Sequence, residues 1–300
     1  MKVFVTGAAG FIGSHLVDKL VEEGIDVIAH DSLYRGKLQN ISGHIDKKKI
    51  DFWEGDIRSF DQVKRLMEGC EAVYHLAAQS NVMGAVSDMN YSFETNVIGT
   101  FNLLKAASEN KIRRFIFTSS REIYGEAENL PVSEDHPAKA KNAYGVSKLA
   151  GEKYVSLFAE INAFETVLLR LANVYGSRDF NRVIPIFIDN IRNNQDIRIF
   201  GGRQIIDFVS VKIIIEILWQ SLQNGAAINQ PINIGSGIGT TLFQLAEKIM
   251  KETGANCSIQ TLPARNEEVE RYTADTNNMK RIFKIEIPED PLYHLAEIIN

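Results

Sequence analysis

Two cysteines, seven prolines and two tryptophans in 300 residues exclude several kinds of protein at once. Cys70 and Cys257 stand far apart and form no CxxC pair, so neither a zinc site nor a dithiol redox motif is expected. Such sparing use of cysteine suits a reducing, cytoplasmic setting. Proline and glycine nowhere gather into a linker or low-complexity tract, and no internal repeat is present. An excess of one charge is also missing. The 33 basic and 38 acidic residues leave a net charge of −5, which gives no footprint for nucleic acid or an anionic membrane. The basic run Lys47-Lys48-Lys49 is short and reads as a solvated turn. Long apolar runs are absent as well. The stretch Val211 to Leu222 is broken by Lys212 and Glu216 and is too short to span a bilayer. Met1-Lys2 and the apolar residues after them resemble a signal peptide only superficially. The glycines that follow need that stretch as strand and turn of the folded protein.

What is there is a composition of 45% hydrophobic and 24% charged residues, that of a soluble globular protein with a sizeable core. Short apolar runs at 2–6, 26–30, 50–54, 72–76, 114–118 and 166–170 predict strands. Amphipathic stretches at 11–23, 60–69, 91–108 and 143–161 predict helices between them. Each strand is apolar almost throughout, as a strand covered on both faces requires. The alternation predicts an α/β fold: a doubly wound parallel Rossmann sheet with right-handed crossovers. After Asn173 the pattern loosens into helices at 183–193 and 211–223, short strands at 197–200 and 232–234, and a helix from Leu242. The expected division is a dinucleotide-binding part, residues 1–173 plus 206–236, and an interleaved C-terminal substrate cap, residues 174–205 plus 237–300.

The first strand runs straight into Gly7-Ala8-Ala9-Gly10-Phe11-Ile12-Gly13, and a helix follows without a gap. Gly7 permits the tight turn, Gly10 lets the backbone approach a pyrophosphate, and Gly13 lets the helix pack on the strand. The free N–H groups where Phe11 and Ile12 open the helix, with their partial positive charge, then hold the phosphates. Asp31 ends the next strand 18 positions after Gly13, the spacing of a carboxylate that accepts the adenosine ribose hydroxyls. A carboxylate there repels a 2′-phosphate and favours NAD over NADP; Arg35 nearby pulls the other way.

Tyr144-Gly145-Val146-Ser147-Lys148 opens the helix at 143–161, and positions i and i+4 share one helical face. An ammonium beside the phenol, together with the nicotinamide charge, is expected to lower its pKa. Work as a base near neutrality needs a drop of about three units, roughly 4 kcal/mol. The strand at 114–118 ends in Ser119-Ser120, at the sheet edge where ligands bind in open α/β folds. Ser120, Tyr144 and Lys148 are therefore the candidate proton-handling unit beside a hydride acceptor.

The ordered motifs are Gly7-x-x-Gly10-x-x-Gly13, Gly55-Asp56-Ile57-Arg58, His75-Leu76-Ala77-Ala78, Asn96-Val97-x-Gly99-Thr100, Ser119-Ser120-x-x-x-Tyr124-Gly125, Tyr144-x-x-x-Lys148 and Leu169-Arg170-x-x-Asn173-Val174-Tyr175-Gly176. With them the whole chain resembles the extended short-chain dehydrogenases/reductases. Within these it resembles the NAD-dependent nucleotide-sugar epimerases and dehydratases, most of all the UDP-galactose (UDP-glucose) 4-epimerases. The resemblance implies that Asp56 and Ile57 meet the adenine. Leu76, Ala77 and Ala78 would line the pyrophosphate and nicotinamide ribose, and Asn96 would support the end of the fourth strand. Asn173 and Arg265 would hold a UDP diphosphate. His75 reads as a structural residue with no catalytic part.

Three departures from the family pattern stand out. Ile206 replaces an arginine that normally clamps a phosphate, Lys212 stands where an acid is usual, and Arg203 in the preceding turn is a candidate substitute. Glu122 occupies the station of an acid/base glutamate in nucleotide-sugar 4,6-dehydratases and UDP-glucuronate decarboxylases, although Arg121 replaces the dehydratase aspartate. Tyr272 falls where the family sets the room beside the sugar's C2 substituent. A large side chain there implies UDP-glucose/UDP-galactose ahead of UDP-GlcNAc/UDP-GalNAc, while Ala172 stands where several relatives carry a bulky aromatic. The expected activity is UDP-hexose 4-epimerisation through a 4-keto intermediate. Glu122-assisted loss of water or CO₂ is the alternative, and a silent NAD sensor is the reading outside enzymology. The resemblance also implies a homodimer, paired through the helices at 91–108 and 143–161. Val97, Phe101, Leu104, Leu149, Val155 and Leu157 would supply both the internal face and the seam.

Overall fold

In chain order the strands are β1 (Lys2–Thr6), β2 (Asp26–Asp31), β3 (Ile50–Glu54), β4 (Ala72–His75), β5 (Arg114–Ser120), β6 (Glu165–Leu171), β7 (Asn173–Tyr175), β8 (Ile197–Phe200), β9 (Ile205–Ser210), β10 (Pro231–Ile234), β11 (Gly239–Thr241) and β12 (Ile259–Leu262). The computed structural model describes residues 1–162 and 164–299. Seven strands form one parallel sheet in the order β10-β6-β5-β4-β1-β2-β3. Along β1, Val3 and Val5 belong to the apolar layer on one face and Phe4 to the layer on the other. Helices Phe11–Glu22 and Val211–Ser221 cover the first face. Helices Phe60–Leu66, Gly99–Glu109 and Ala143–Asn162 cover the second. Burial on both faces is why the strands read as unbroken apolar runs. The exception is edge strand β3, in which only Ile50 is buried.

The strand order reverses between β1 and β4, and the crevice above their carboxyl ends is where an open α/β sheet takes its ligand. Beyond β6 the chain builds a second apolar cluster, with Tyr175, Ile184, Phe187, Ile197, Phe208 and Leu245 among its members. Two small sheets serve this part. Strand β9 lies between β7 and β11, and β12 pairs with β8.

The structure differs from the sequence pattern at particular places. The stretch expected as one helix at 91–108 is a helix Met89–Phe93, a π turn Glu94–Ile98 and a helix Gly99–Glu109, preceded by a short helix Val82–Ser87. The π turn carries Asn96, whose amide bonds the backbone of Gln79 in both directions and reaches Ser147 Oγ at 2.9 Å. An extra residue in one helical turn of this kind commonly accompanies a functional position. Strands β7, β9, β11 and β12 lacked a local signal. Each is three to six residues long and finds its partner far away in sequence.

Candidate active site

The cradle is made by backbone. Gly7 has φ +71°, and a Cβ there would stand 2.8 Å from Ala77 N at the end of β4. At Gly13 a Cβ would fall 1.9 Å from the carbonyl oxygen of Gly7, so only glycine lets the helix begin this close to the strand. Asp31 closes the adenosine side. Its two carboxylate oxygens accept from Ala9 N at 2.9 Å and Leu33 N at 2.8 Å. Burial nevertheless pulls its pKa above the ordinary aspartate value. A narrow groove bounded by glycine backbone, a helix N-terminus and a buried carboxylate fits a dinucleotide.

From the cradle a cleft of about 830 Å³ runs to the second apolar cluster. Of the residues that the sequence assigns to catalysis, cofactor or sugar nucleotide, all line this cleft except Asn96 and Tyr272. Asn96 is buried behind the wall, where it ties the loop after β4 to the helix that carries Tyr144. It therefore positions the cofactor wall rather than forming it. Tyr272 is fully buried, stacked on Tyr124 at 6.1 Å and lying under the guanidinium of Arg121 at 5.6 Å. Tyr272, expected beside the sugar, is not in the cleft wall, whereas Arg121, which lies over its ring, is. Arg203 is turned out to solvent at 82% side-chain exposure and paired with Glu270, so it does not stand in for an arginine at Ile206. Ile206 itself is wall. Lys212 pairs with Glu297, away from the cleft.

Ser120 ends β5, and the first turn of helix Ala143–Asn162 brings Tyr144 to it, within hydrogen-bonding reach. One turn further, Lys148 Nζ donates to the carbonyl of Thr118 at 2.9 Å. Burial pushes the Tyr144 phenol up to about 12, against the positive charge of Arg182. Burial also pushes the Lys148 ammonium down to about 8, against the negative charge of Glu152. The side chains alone do not make the phenol acidic, because desolvation of the anion outweighs the attraction of nearby cations.

Glu122 is in the wall but is not a free carboxylate. One oxygen pairs with Arg121 Nη2 at 2.9 Å, and the other accepts from Asn142 Nδ2 at 2.8 Å. Arg121 also donates from Nε to Asn173 Oδ1 at 2.6 Å, so Arg121, Glu122 and Asn173 form one unit. At the far end Arg265 lies 3.7 Å over the ring of Phe200 and pairs with Glu268 at 3.0 Å. Arg198 and Gln204 line the same end, and Arg35, Asp179, Phe180 and Arg182 line the cofactor end. Apart from Arg35, noted only for its charge beside Asp31, sequence reasoning passed over these residues. They come from turns and short strands with no motif of their own, and only their convergence on one cleft marks them.

The profile of the NAD dependent epimerase/dehydratase family matches residues 3–235 of the chain. A Methanocaldococcus jannaschii protein, provisionally a UDP-glucose 4-epimerase, is 39% identical over 259 residues, 84% of this chain and 82% of that protein. A dTDP-glucose 4,6-dehydratase of an Actinoplanes species is 31% identical over 286 residues, 92% of this chain and 89% of that protein. Among solved structures, the UDP-glucose 4-epimerase of Thermotoga maritima with UDP-glucose superposes with a TM-score of 0.94 at 31% identity. That superposition covers 100% of this chain and 97% of the other.

Proposed function

This chain belongs to the NAD dependent epimerase/dehydratase family, and from that premise we propose that it is a UDP-hexose 4-epimerase. One observation carries the choice between epimerase and lyase. Glu122, the residue a lyase would need as acid or base, has both oxygens engaged by Arg121 and Asn142, while Ser120, Tyr144 and Lys148 line the cleft together. NAD, when bound, supplies a hydride acceptor and donor and a positive ring. The chain's own residues do the rest. The Tyr144 phenolate takes the proton of the sugar's 4-hydroxyl and later returns one, Ser120 orients that hydroxyl, and Lys148 holds positive charge under the phenol. Gly7, Gly10, Phe11, Ile12 and Gly13 hold the cofactor diphosphate, Asp31 the adenosine ribose, and Asp56 and Ile57 the adenine. Leu76, Ala77 and Ala78 line the pyrophosphate and the nicotinamide ribose. Asn173 and Arg265 hold the sugar nucleotide.

UDP-glucose and UDP-galactose are the preferred pair, with UDP-GlcNAc and UDP-GalNAc second; the size of Tyr272 no longer supports this preference. NMR of the products from UDP-glucose, UDP-GlcNAc and UDP-glucuronate tests the reading. Equilibration of C4 epimers supports it, and a 4-keto-6-deoxy or decarboxylated product sinks it. The division of the chain into residues 1–173 plus 206–236 and residues 174–205 plus 237–300 is part of the same proposal, as is a cytoplasmic homodimer. The dimer reading rests on an exposed apolar strip: Phe101, Tyr154, Leu157 and Ile161 stand at least a third exposed on two adjacent helices. Light scattering at micromolar concentration checks it, and a monomer would contradict it.

A further inference from the structure

The glycine cradle binds a diphosphate with backbone N–H groups, and between Gly7 and Gly13 the chain has no lysine or arginine. A doubly charged group entering a partly buried cleft calls for a counter-charge from elsewhere. At the cofactor end the cleft wall includes three cations: Lys148, already donating to Thr118, and Arg35 and Arg182. Arg35 donates to Ser80 Oγ at 3.2 Å. The Arg182 guanidinium makes no hydrogen bond to any of the described residues. Its carboxylate neighbour, Asp179 Oδ1, is 3.7 Å away, beyond hydrogen-bonding reach. That long ion pair leaves the half-buried guanidinium with no close hydrogen bond among the described residues, and its planar fork suits a phosphate.

The segment that carries Arg182 is fixed to the opposite half of the molecule. It leaves β7 and returns across helix Phe11–Glu22, the helix of the cradle. The Ser177 carbonyl meets His15 Nε2 at 3.0 Å, and Arg178 pairs with Asp18 at 2.8 Å. The Phe180 ring is clasped by Lys37 at 4.6 Å and Arg35 at 5.3 Å, both from the loop after Asp31. The Arg182 guanidinium ends 5.6 Å from the ring of Phe11, the first residue of the cradle helix. Arg178 and Asn181 take φ of +65° and +56°, a left-handed backbone that non-glycine residues adopt only when the surroundings hold them there.

We propose that Arg182 and Phe180 are cofactor-retaining residues: the guanidinium covers the diphosphate from the side opposite the glycine cradle, and Phe180 anchors the segment over it. The substrate-side half thereby controls how fast a cofactor bound by the other half escapes. This depends on the family's NAD and not on which sugar is used.

The test is exchange of bound NAD(H) in the purified holoprotein, followed by chasing with excess radiolabelled NAD⁺ and gel filtration. Arg182→Ala is expected to exchange about 10- to 100-fold faster, the loss of hydrogen bonds to a charged group. Arg182→Lys should fall between Ala and wild type, because it keeps the charge and loses the fork. Phe180→Ala should exchange several-fold faster with an unchanged circular dichroism spectrum and melting temperature. Exchange within twofold of wild type in both alanine variants overturns the proposal. No sugar enters the assay, so a failure of the 4-epimerase reading and a failure of this one show up separately.

Discussion

At one end of the cleft Gly7, Gly10 and Gly13 present bare backbone to a ligand. At the other end Arg121 with Glu122, and Arg265 with Glu268, hold one another in ion pairs. Backbone recognition is fixed by chain geometry, so a side-chain substitution leaves it alone unless it adds a Cβ where none fits. Side-chain recognition can be retuned by one residue, since each pair positions its partner for the ligand. The chain matches the epimerase/dehydratase family model over residues 3–235 and is 31% identical to a dTDP-glucose 4,6-dehydratase, so one fold serves relatives of both names.

Substitutions at the two ends sharpen or break that contrast, and the largest effect is expected where they meet. Tyr144→Phe keeps the ring and removes the proton carrier, so kcat should fall about 10²- to 10⁴-fold with bound NAD intact. More than a tenth of wild-type turnover would remove Tyr144 from the role given to it. Gly13→Ala forces a Cβ to within 1.9 Å of the Gly7 carbonyl, so the cradle must deform. Such overpacking costs about 1–3 kcal/mol, enough to weaken NAD binding by roughly 5- to 150-fold, read as NAD content after dialysis. Arg265→Ala is the counterpart at the substrate end. It should raise KM for the sugar nucleotide by about tenfold, the worth of a charged hydrogen bond, and leave NAD content untouched. If Arg265→Ala empties the cofactor site, the two ends are not independent.

Lys148→Met should separate activity from stability. Burial holds the Lys148 pKa at about 8, below the 10.5 of an exposed lysine, so the unfolded chain binds the extra proton between those values. The cost of burying the ammonium is therefore fully present below pH 8 and fades as pH rises towards 10.5. The methionine variant, though poorly active, should be more stable than wild type by about 1–2 kcal/mol at pH 7, with a smaller margin at pH 9.5. Urea unfolding at the two pH values measures this, and a margin that grows with pH would show the sign to be wrong.

The smallest effect is expected behind the wall. The Tyr272 hydroxyl is buried without a hydrogen-bond partner among the described residues, so Tyr272→Phe should stabilise by about 1 kcal/mol. The kcat/KM for UDP-glucose and UDP-GlcNAc should stay within twofold of wild type. A selective change for one sugar would return Tyr272 to the substrate pocket.

Local chemistry in the sequence determined the cofactor half. A glycine turn, a helix that starts without a gap and an acid at the end of the next strand lie within the first 31 residues, and both strands run unbroken because both faces are buried. The i and i+4 pairing of Tyr144 with Lys148 was legible for the same reason: helical geometry alone puts them on one face. Tertiary structure decided the remainder. Strands β7 and β9 are joined across thirty residues of chain, and β8 pairs with β12 across about sixty, so no local pattern announces them. The π turn at Asn96 depends on Gln79 and Ser147, and the engagement of both Glu122 oxygens depends on Arg121 and on Asn142 twenty residues later. Spacing suggests a place beside the sugar for Tyr272, whereas packing buries its ring against Tyr124 and leaves Arg121 in the cleft wall. The pKa values went the same way. Spacing puts an ammonium and a phenol on one helical face, but how far each is desolvated depends on what the folded chain buries, which here pushes the phenol up and the ammonium down.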